Sequence, residues 1–586
     1  MKKNVLIFFC LLLFAHHTKA QTVFDTSDLN GIWLYNSANT ETDKLTEVSQ
    51  LPFKVTGAGI YLKWSSLEPA ENSFNWLQLD TLLIRLQAVN LKANLMIWAG
   101  PSSPEWIYQP PYIIDSVLTL DPKNTFSKYP YYFHPAYKFL WYRMLDSVFA
   151  HLQELPGNIK NNIKIFQSAQ GTTGDLDWYK GAVINAPPPG SLCNCSSYFI
   201  TDKDWVTFIK EEWERTDSIL KLKLPAASHL INTGTDKIVN SPLYKDAFLW
   251  TRANIPSVLY KANNMAHWYQ MNNEALSKAA YDSILNVTQN CLPPSRARDE
   301  FDLAQNNAEL KKPAWHKYFT AINALHFGVD MWNIFTPDIL DTVNTDLFLF
   351  FNKYAGKKSA ACSPGAFCVM HDGLDAADTT RFPVTVFGRG TMDDADSSGR
   401  SRCKRIAQFY AAKGAVQYDG ENGQGGSFNQ VTAQDLNDVG WNIFTGNYER
   451  YLYQRDAAAT STGYWQQGDT SQYYGRFARG FEHASLKDTM FFDADDAFAA
   501  QLTGNSCTIK IIYLDRGGSF KLLYDAADGT MKTAREYITG NTNRWITDTI
   551  TITDAGFQNR CPHSSDILLV NTDDADEVFH LLEVMK

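Results

Sequence analysis

The stretch from Gly59 to Asp80, which reads GIYLKWSSLEPAENSFNWLQLD, decides how the fold is interpreted. An apolar strand that includes Ile60 and Leu62 ends at Trp64, and a Ser-Ser-Leu-Glu-Pro loop then breaks its alternation. A helix with apolar residues at every third or fourth position begins near Leu79. The stretch therefore predicts one strand–loop–helix unit with aromatic side chains where the strand ends.

Seven further apolar runs repeat this unit along the chain. Apolar runs that open onto Pro-, Gly- or Ser-rich loops are typical of buried parallel strands. Together with the strand that ends at Trp64, they predict a (β/α)8 TIM barrel. These seven predicted strands cover residues 31–36, 91–98, 164–171, 226–232, 266–271, 295–302 and 327–335.

The chain changes character near Asn437, where the apolar period becomes two and short strands alternate with Gly-rich turns. This pattern predicts an all-β sandwich over residues 437–586. The barrel is then expected at 21–340, with a barrel extension of uncertain structure at 341–436. If the first strand is miscounted, residues 416–418 could instead be a barrel strand, and Glu421 would then enter the cleft.

The stretch containing Trp64 and Glu68 resembles the second βα unit of clan A retaining glycoside hydrolases, of the family 42 or family 5 type. In that unit a strand ending in Trp-x-x-x-Glu-Pro is followed by a short aromatic turn and a Leu-Asp helix. The resemblance covers roughly residues 31–335. It implies that two catalytic carboxyl groups come from strands four and seven, and that the sandwich is an accessory domain.

Strand seven supplies the candidate nucleophile, Glu300. A retaining glycosidase needs two carboxyl groups about 5 to 5.5 Å apart, of which one stays ionised and attacks the sugar. Arg296 and Arg298 stand beside Glu300 and would lower its pKa. A structural salt-bridge cluster explains these charges equally well. Glu274, after the predicted sixth strand, is the reserve candidate, although a polar rim residue is its more ordinary interpretation.

Strand four lacks the acid that the resemblance implies, because Gln170 follows Ala169 where an acid/base Glu is expected. An amide has no proton to donate, and general acid catalysis contributes roughly 10²- to 10⁴-fold. Asp175 is the nearest carboxyl group that could replace it. Other acidic residues after apolar runs are Glu68, Glu105, Asp299 and Asp330.

Aromatic residues at the strand ends are candidates for sugar binding, since flat rings stack on the C–H faces of pyranoses. The resemblance implies that Trp332, at the end of strand eight, forms a platform under the sugar at the cleavage point. Any single Trp is more often a core residue. The full set of candidate substrate-binding residues is Trp64, Trp98, Trp106, Trp178, His267, Tyr269, Arg298 and Trp332.

These residues leave three interpretations of function. The first is a secreted glycoside hydrolase that acts on a polysaccharide or oligosaccharide, with a galactan as one candidate. The second is a carbohydrate-binding protein on a degenerate barrel, which Gln170 favours. The third is a structural or adhesin-like exported protein, which the many aromatics at the strand ends disfavour.

The N-terminus predicts export. Lys2 and Lys3 precede an apolar run from Val5 to Ala15, and Ala20 provides a cleavage site, so residues 1–20 are predicted to be a signal peptide. The apolar run is too short to span a membrane. We expect a secreted or periplasmic location. A net charge of −10 makes nucleic acid an unfavourable partner.

The other motifs predict neither a cofactor nor a metal site, because no phosphate-binding loop, dinucleotide motif or complete set of metal ligands is found. Of the nine cysteines, Cys10 lies in the signal peptide. An even number remains, which suggests disulfides in an exported chain. The nearest pairs are Cys362 with Cys368 and Cys507 with Cys561, although spacing alone does not determine the connectivity.

Overall fold

Eight parallel strands close a barrel in the order in which they follow one another in the chain. Every neighbouring pair is parallel, and the first strand also pairs with the last. The predicted (β/α)8 barrel is confirmed, and it is complete without residues 416–418. The strands are β1 Gly31–Leu34, β2 Val55–Lys63, β3 Lys92–Trp98, β4 Ile163–Gln167, β5 Ser228–Asn232, β6 Val258–Lys261, β7 Ala297–Glu300 and β8 Met331–Ile334.

These strands belong to a computed structural model that describes most, but not all, of the chain. For residues 297–300 only the backbone is described, and the predicted signal peptide lies outside the described residues. The described residues are 27–35, 44–120, 126–172, 176–184, 198, 200–232, 241–255, 258–261, 297–300, 321–322, 324–326, 328–371, 379–380, 382–389, 405, 446–467, 476–502 and 504–586.

The sixth strand differs from its prediction. Lys261 of β6 pairs with Asn232 of β5 on one side and with Arg298 of β7 on the other. The prediction of residues 266–271 for this strand was therefore wrong, and those residues and Glu274 lie outside the described part of the chain. Because Glu274 was chosen for following the sixth strand, the argument for it no longer holds.

Five long helices are described around the barrel. Each buries an apolar stripe, as in α2, where Leu140, Met144 and Val148 are inaccessible to solvent. Among the described helices, none combines the length and the hydropathy needed to cross a bilayer. The five are α1 Trp76–Ala88, α2 Pro135–Glu154, α3 Asp202–Lys223, α4 Pro242–Asn254 and α5 Thr345–Tyr354.

Short elements connect these helices and strands. A small antiparallel sheet, formed by Ser116–Leu120, Phe126–Pro130 and Ala182–Val183, lies in the loops that follow β3 and β4. The short α-helices are Leu45–Ser49, Trp64–Leu67, Gly157–Lys160, Thr336–Leu340, Val384–Phe387, Ala457–Thr460 and Asp496–Ala499.

Alternate residues of the barrel strands fill the barrel interior in layers. Trp33, Ile165 and Met331 share the layer nearer the amino ends of the strands, and Tyr61 lies with Met96 and Ala169 nearer the carboxyl ends. Two glycines of β2 make room for the large rings. A Cβ atom on Gly57 would lie 2.4 Å from the Trp33 ring, and one on Gly59 would lie 2.7 Å from the Tyr61 ring.

The C-terminal region forms the predicted β-sandwich. A seven-stranded sheet (β9, β10, β12, β13, β15, β18, β20) and a five-stranded sheet (β11, β14, β16, β17, β19) share one apolar core. The strands are β9 Gly365–Val369, β10 Tyr448–Arg450, β11 Leu452–Arg455, β12 Thr462–Gln467, β13 Arg476–Gly480, β14 Thr489–Ala494, β15 Cys507–Leu514, β16 Gly518–Asp525, β17 Met531–Thr539, β18 Trp545–Ile552, β19 Ile567–Asn571 and β20 Val578–Met585.

Two elements between 341 and 436 join the neighbouring domains. Helix α5 packs on the barrel, because Phe348 and Phe351 contact Trp332. Strand β9 pairs with β20 and is part of the sandwich. The buried carboxylate of Glu583 in β20 then links the two domains, since it accepts hydrogen bonds from the Tyr354 hydroxyl at 2.6 Å and from Lys353 Nζ at 2.8 Å.

The predicted disulfide pairs do not form. Cys368, Cys507 and Cys561 are all buried and free. The pairing of Cys362 with Cys368 and that of Cys507 with Cys561 were therefore wrong. Cys368 and Cys507 lie on β9 and β15, whose packing in the sandwich core explains their burial as small apolar side chains.

Glu68 of the stretch that decides the fold is a structural carboxylate. It is fully buried, and it accepts hydrogen bonds from Trp64 Nε1 at 2.9 Å and from the backbone N–H of Asn72 at 2.8 Å. The guanidinium group of Arg143, on α2, forms an ion pair with it. Glu68 therefore joins the loop after β2 to helix α2.

We expect Glu68→Gln to lower the free energy of unfolding by about 2 kcal/mol, because an amide leaves Arg143 without its buried counter-charge. Glu71→Gln is the matched control, since Glu71 lies 3.6 Å from the same guanidinium group but is 38% exposed. Denaturant unfolding of both variants measures the difference. Equal losses in the two variants would contradict a structural role specific to Glu68.

Candidate functional site

The candidate site lies at the carboxyl ends of the barrel strands, which we call the mouth. In a (β/α)8 barrel the side chains that can act on a ligand project from this end. Four aromatic residues of the barrel interior meet there, and we call them the mouth aromatics: Tyr35, Tyr61, Trp98 and Phe335. They come from β1, β2, β3 and β8 or from the residue that follows each strand.

The mouth aromatics form a continuous set of ring contacts across half of the barrel. The Tyr35 ring lies 4.7 Å from that of Phe335 and 5.3 Å from that of Tyr61, both edge to face. The rings of Tyr61 and Trp98 are 6.2 Å apart. Tyr61 is almost fully buried beneath the others, whereas Tyr35 and Trp98 are half-buried and present ring surface to a ligand.

Polar residues begin on β8, the strand that precedes Phe335, and continue on the strands of the other side of the mouth. Asn333 of β8 donates a hydrogen bond from Nδ2 to the Tyr61 hydroxyl at 3.3 Å. Asn232 and Lys261 are level with each other at the ends of β5 and β6, and both are buried. The mouth thus combines an aromatic half with a polar half, which is the lining expected of a site for a polar, flat-faced ligand.

The candidate nucleophile position lies within this polar half. The register of β7 and β8 places Glu300 level with Asn333, and Asp299 level with Trp332. Arg298 is level with Met331 and with Lys261. The side chains of Arg298 and Glu300 lie outside the described part of the structure, so the structure locates only their backbone.

Gln170 faces away from the mouth. Its side chain is buried, and Nε2 donates a hydrogen bond to Oε2 of Glu212 on α3 at 3.3 Å. Trp141 Nε1 donates to the same oxygen at 2.6 Å. The residue at the position of the expected acid/base group therefore belongs to the contact between β4 and the helices, and it is not a group that meets a substrate.

Glu212 is the titratable group of this buried contact. Burial raises its pKa to about 7, although the hydrogen bonds from Tyr142, Trp141 and Gln170 partly offset the effect. Because the side chain is inaccessible to solvent, no substrate can reach it. Glu212 thus acts on stability rather than on chemistry.

A second buried titratable group faces the same helix. His229 of β5 lies 2.5 Å from the Ser168 hydroxyl, measured from Nε2, and burial lowers its pKa to about 4. Asp217 of α3 is near enough to raise that pKa slightly. The pair resembles part of a nucleophile–base arrangement, but both side chains are buried between barrel and helix.

Two of the tryptophans that were predicted to bind sugar lie in the protein core, so the prediction for them was wrong. Trp332 is fully buried, because it points out of the barrel onto Phe348 and Phe351 of α5 at 5.7 and 5.2 Å. Trp64 is also fully buried, and its ring lies 5.5 Å from that of Trp141 on α2. Both therefore stabilise the contact between the barrel and its helices instead of lining the mouth.

The other predicted tryptophans are half-buried near the mouth. Trp98 is one of the mouth aromatics. Trp106 donates a hydrogen bond from Nε1 to the carbonyl oxygen of Glu68 at 3.1 Å, which ties two loops together. Trp178, on the loop after β4, packs against Trp205 at 6.1 Å. Asp175, His267 and Tyr269 lie outside the described residues.

Sequence reasoning missed Tyr35, Tyr61, Asn333 and Phe335. A signal for two of them exists, because Gly57 and Gly59 mark the inward positions of β2, and Tyr61 continues that alternation. Counting by two from Trp33 also reaches Tyr35. β8 offers one signal as well, because Asn333 is the only polar residue of that strand.

The described side chains do not form a metal site. Those side chains contain no group of three or more His, Cys, Asp or Glu residues that could hold a metal ion. Glu105 is exposed and pairs with Lys128 at 2.7 Å, and Asp330 is buried and accepts a hydrogen bond from the Gly356 N–H at 2.9 Å. Both have structural partners.

Comparisons with known proteins bear on the fold alone. No protein-family profile matches the chain, and no curated protein matches it. Similar solved structures include a psychrophilic family 10 endo-β-1,4-xylanase, with 11% identity over 53% of this chain and 87% of that one and a TM-score of 0.33. The fold assignment itself rests on the closed parallel barrel.

Two further solved structures are similar over a comparable part of the chain. A family 42 β-galactosidase from G. stearothermophilus shares 12% identity over 58% of each chain, with a TM-score of 0.35. An exo-β-1,4-mannosidase from Opitutaceae bacterium strain TAV5 shares 11% identity over 57% of this chain and 60% of that one, with a TM-score of 0.34.

We expect Glu212→Gln to change how stability depends on pH. In the parent, the folded protein keeps the Glu212 proton up to about pH 7, whereas the unfolded chain loses it near its ordinary pKa of 4.5. The contribution of Glu212 to stability therefore falls as pH rises through this window. The variant should gain about 3 kcal/mol over the parent between pH 4.5 and pH 8.

Denaturant unfolding at several pH values measures this difference. Glu211→Gln is the control, because its side chain is 50% exposed and adjacent in the chain. A parallel pH dependence of Glu212→Gln and the parent would show that the buried carboxyl is ionised throughout.

We expect Gln170→Glu to produce no new hydrolytic activity, because residue 170 faces α3. The substitution places a second carboxyl group beside Glu212. Ionising two adjacent buried carboxyl groups costs free energy, because their negative charges repel. Relative to the parent, the variant should lose more stability at pH 8 than at pH 5. Gln170→Met is the uncharged control, and hydrolysis gained by Gln170→Glu would instead place residue 170 in the cleft.

Proposed function

We propose that the chain is an exported glycoside hydrolase that cleaves O-glycosidic bonds in a polysaccharide or a long oligosaccharide. One observation carries the proposal: the mouth aromatics share the barrel mouth with the strand-seven position of Glu300, since β7 lies beside β8 and opposite β3, the strand that carries Trp98. Aromatic rings on one side and a carboxylate position on the other are what a glycosidase needs to bind and attack a sugar.

The mouth aromatics would bind the sugar by its apolar face. Tyr35 and Trp98 are half-buried, so each keeps its orientation through packing while it offers ring surface to a pyranose. Asn333 is held by the Tyr61 hydroxyl and is level with Glu300. Asn333 is itself buried, so in this proposal it fixes the end of β8 beside the carboxylate and leaves contact with the sugar to the half-buried rings.

Glu300 is the proposed nucleophile of a retaining mechanism. Its carboxylate oxygen forms a bond to the anomeric carbon while the bond from that carbon to the leaving oxygen breaks. An acid donates a proton to the leaving oxygen and then, as a base, removes one from the water that releases the product. We assign this acid to Asp175, because Gln170 has no proton to donate and contacts Glu212.

The residues of the mouth also suggest a class of substrate. A mouth with Lys261 and Asn232 together with aromatic rings suits hydroxyl-rich sugars. A galactan is the first polysaccharide to test.

Export is proposed from the charged, apolar and small-residue segments of residues 1–20.

We expect the mature protein to release reducing ends from at least one of a panel of soluble polysaccharides, and Glu300→Gln to lower kcat by about 10³-fold or more. Asp299→Asn is the matched control, because the neighbouring residue is level with the outward-facing Trp332. Trp98→Ala should raise KM about tenfold with a smaller change in kcat, since it removes a binding surface.

The outcomes separate catalysis from binding. Equal activities of Glu300→Gln and Asp299→Asn would remove Glu300 from the mechanism. A parent that releases no product but binds a polysaccharide through Trp98 would be a carbohydrate-binding protein, and the glycosidase proposal would then fail.

A further inference from the structure

We propose that a groove between helices α2 and α3 is a second glycan-binding site, which holds a neutral polysaccharide away from the mouth. This proposal rests on the proposed function for its ligand class. The groove encloses about 440 Å³ and opens to solvent. That volume lies in the range of about 300 to 1,000 Å³ that is typical of small-ligand sites.

Aromatic rings form the base of the groove. The Phe133 ring lies 5.9 Å from that of Tyr131 and 5.7 Å from that of Phe208, both edge to face. Tyr131 and Phe133 are half-buried, so their packing fixes them while part of each ring remains open. Fixed, partly open rings bind the C–H face of a sugar at little cost in side-chain entropy.

Polar groups form the rim, and they include both donors and acceptors. Asp204, Thr207 and Glu211 are exposed on one side of α3, and Lys138 of α2 forms an ion pair with Glu211. Adjacent hydroxyl groups of a sugar each donate and accept one hydrogen bond, which matches this mixture. Two carboxylates against one ammonium group would repel an acidic glycan or nucleic acid, so the ligand is an uncharged chain.

Ring contacts connect the groove to the mouth side of the barrel. Phe208 stacks on Trp205 at 5.2 Å, and Trp205 contacts Trp178, on the loop after β4, at 6.1 Å. A polysaccharide presents many identical segments. One chain held in the groove therefore raises the local concentration of further segments at the mouth, which increases overall affinity without any new contact at the mouth.

Affinity electrophoresis of the full-length mature protein tests the groove. Native gels contain soluble galactan, xylan or glucomannan, and the mobility is measured against polysaccharide concentration. We expect at least one polysaccharide to retard the parent. The double variant Tyr131→Ala with Phe133→Ala should bind about tenfold more weakly. Phe139→Ala is the matched control, because Phe139 is 62% exposed on α2 but does not line the groove.

A second variant keeps the test valid if the double variant does not fold. Thr207→Trp fills the groove from an exposed helix position without removing a core contact, and it should weaken retardation to a similar extent. No retardation of the parent by any of the three polysaccharides would overturn the proposal. Equal retardation of the parent and Thr207→Trp would overturn it as well.

Product release from short oligosaccharides separates the two proposals, since a short substrate occupies only the mouth. Groove variants should leave this activity unchanged. Retardation that depends on the groove, with no product from any substrate, would support the groove and reject the glycosidase. Normal product release, with equal retardation of the parent and the groove variants, would support the glycosidase and reject the groove.

Discussion

The packing of large rings inside a closed barrel is the constraint on which the site depends. Eight parallel strands force alternate side chains inward, and the space they enclose is limited. Gly57 and Gly59 lie on the inward face of β2, where a Cβ atom would collide with the rings of Trp33 and Tyr61. These two glycines therefore allow Tyr61 to lie back across the interior, and its hydroxyl then holds Asn333 at the mouth.

The same constraint explains how the mouth becomes divided. Tyr61 fills the interior below the mouth, so the half-buried rings of Tyr35 and Trp98 pack on its edges and remain at the surface. Polar inward residues lie near the ends of β5 and β8, namely Asn232 and Asn333, although Phe335 directly follows β8. Aromatic and polar residues thus meet at one end of the barrel, and the proposed ligand would contact the aromatic rings there.

Much of the fold was predictable because long apolar runs mark barrel strands. The strand β6 was missed because the aromatic residues within 266–271 were preferred to the short apolar run at Val258–Lys261. The inward face of a strand was harder to predict than the strand itself. Parallel strands are buried on both faces, so Met331 and Trp332 look equivalent in the sequence although one lies inside the barrel and the other lies against α5.

The same alternation explains the direction of the Gln170 side chain. Ala169 faces the barrel interior with Tyr61. The next residue, Gln170, faces the helices, and its side chain donates a hydrogen bond to Glu212. A resemblance to a motif can align residues but does not establish which way a loop turns after the strand ends. Gln170 therefore serves packing, and in the proposed mechanism the acid comes from another loop.

Helices α2 and α3 connect the buried contact of Gln170 with the outer groove. Glu211 and Glu212 are consecutive on α3, so about 100° of helix rotation places one on the groove and the other in the core. Both bind α2, through Lys138 and through Trp141. Farther along, Arg215 pairs with Asp146 at 2.8 Å. Because these contacts run along the length of both helices, the groove is held in shape before any ligand arrives, which lowers the entropy cost of binding.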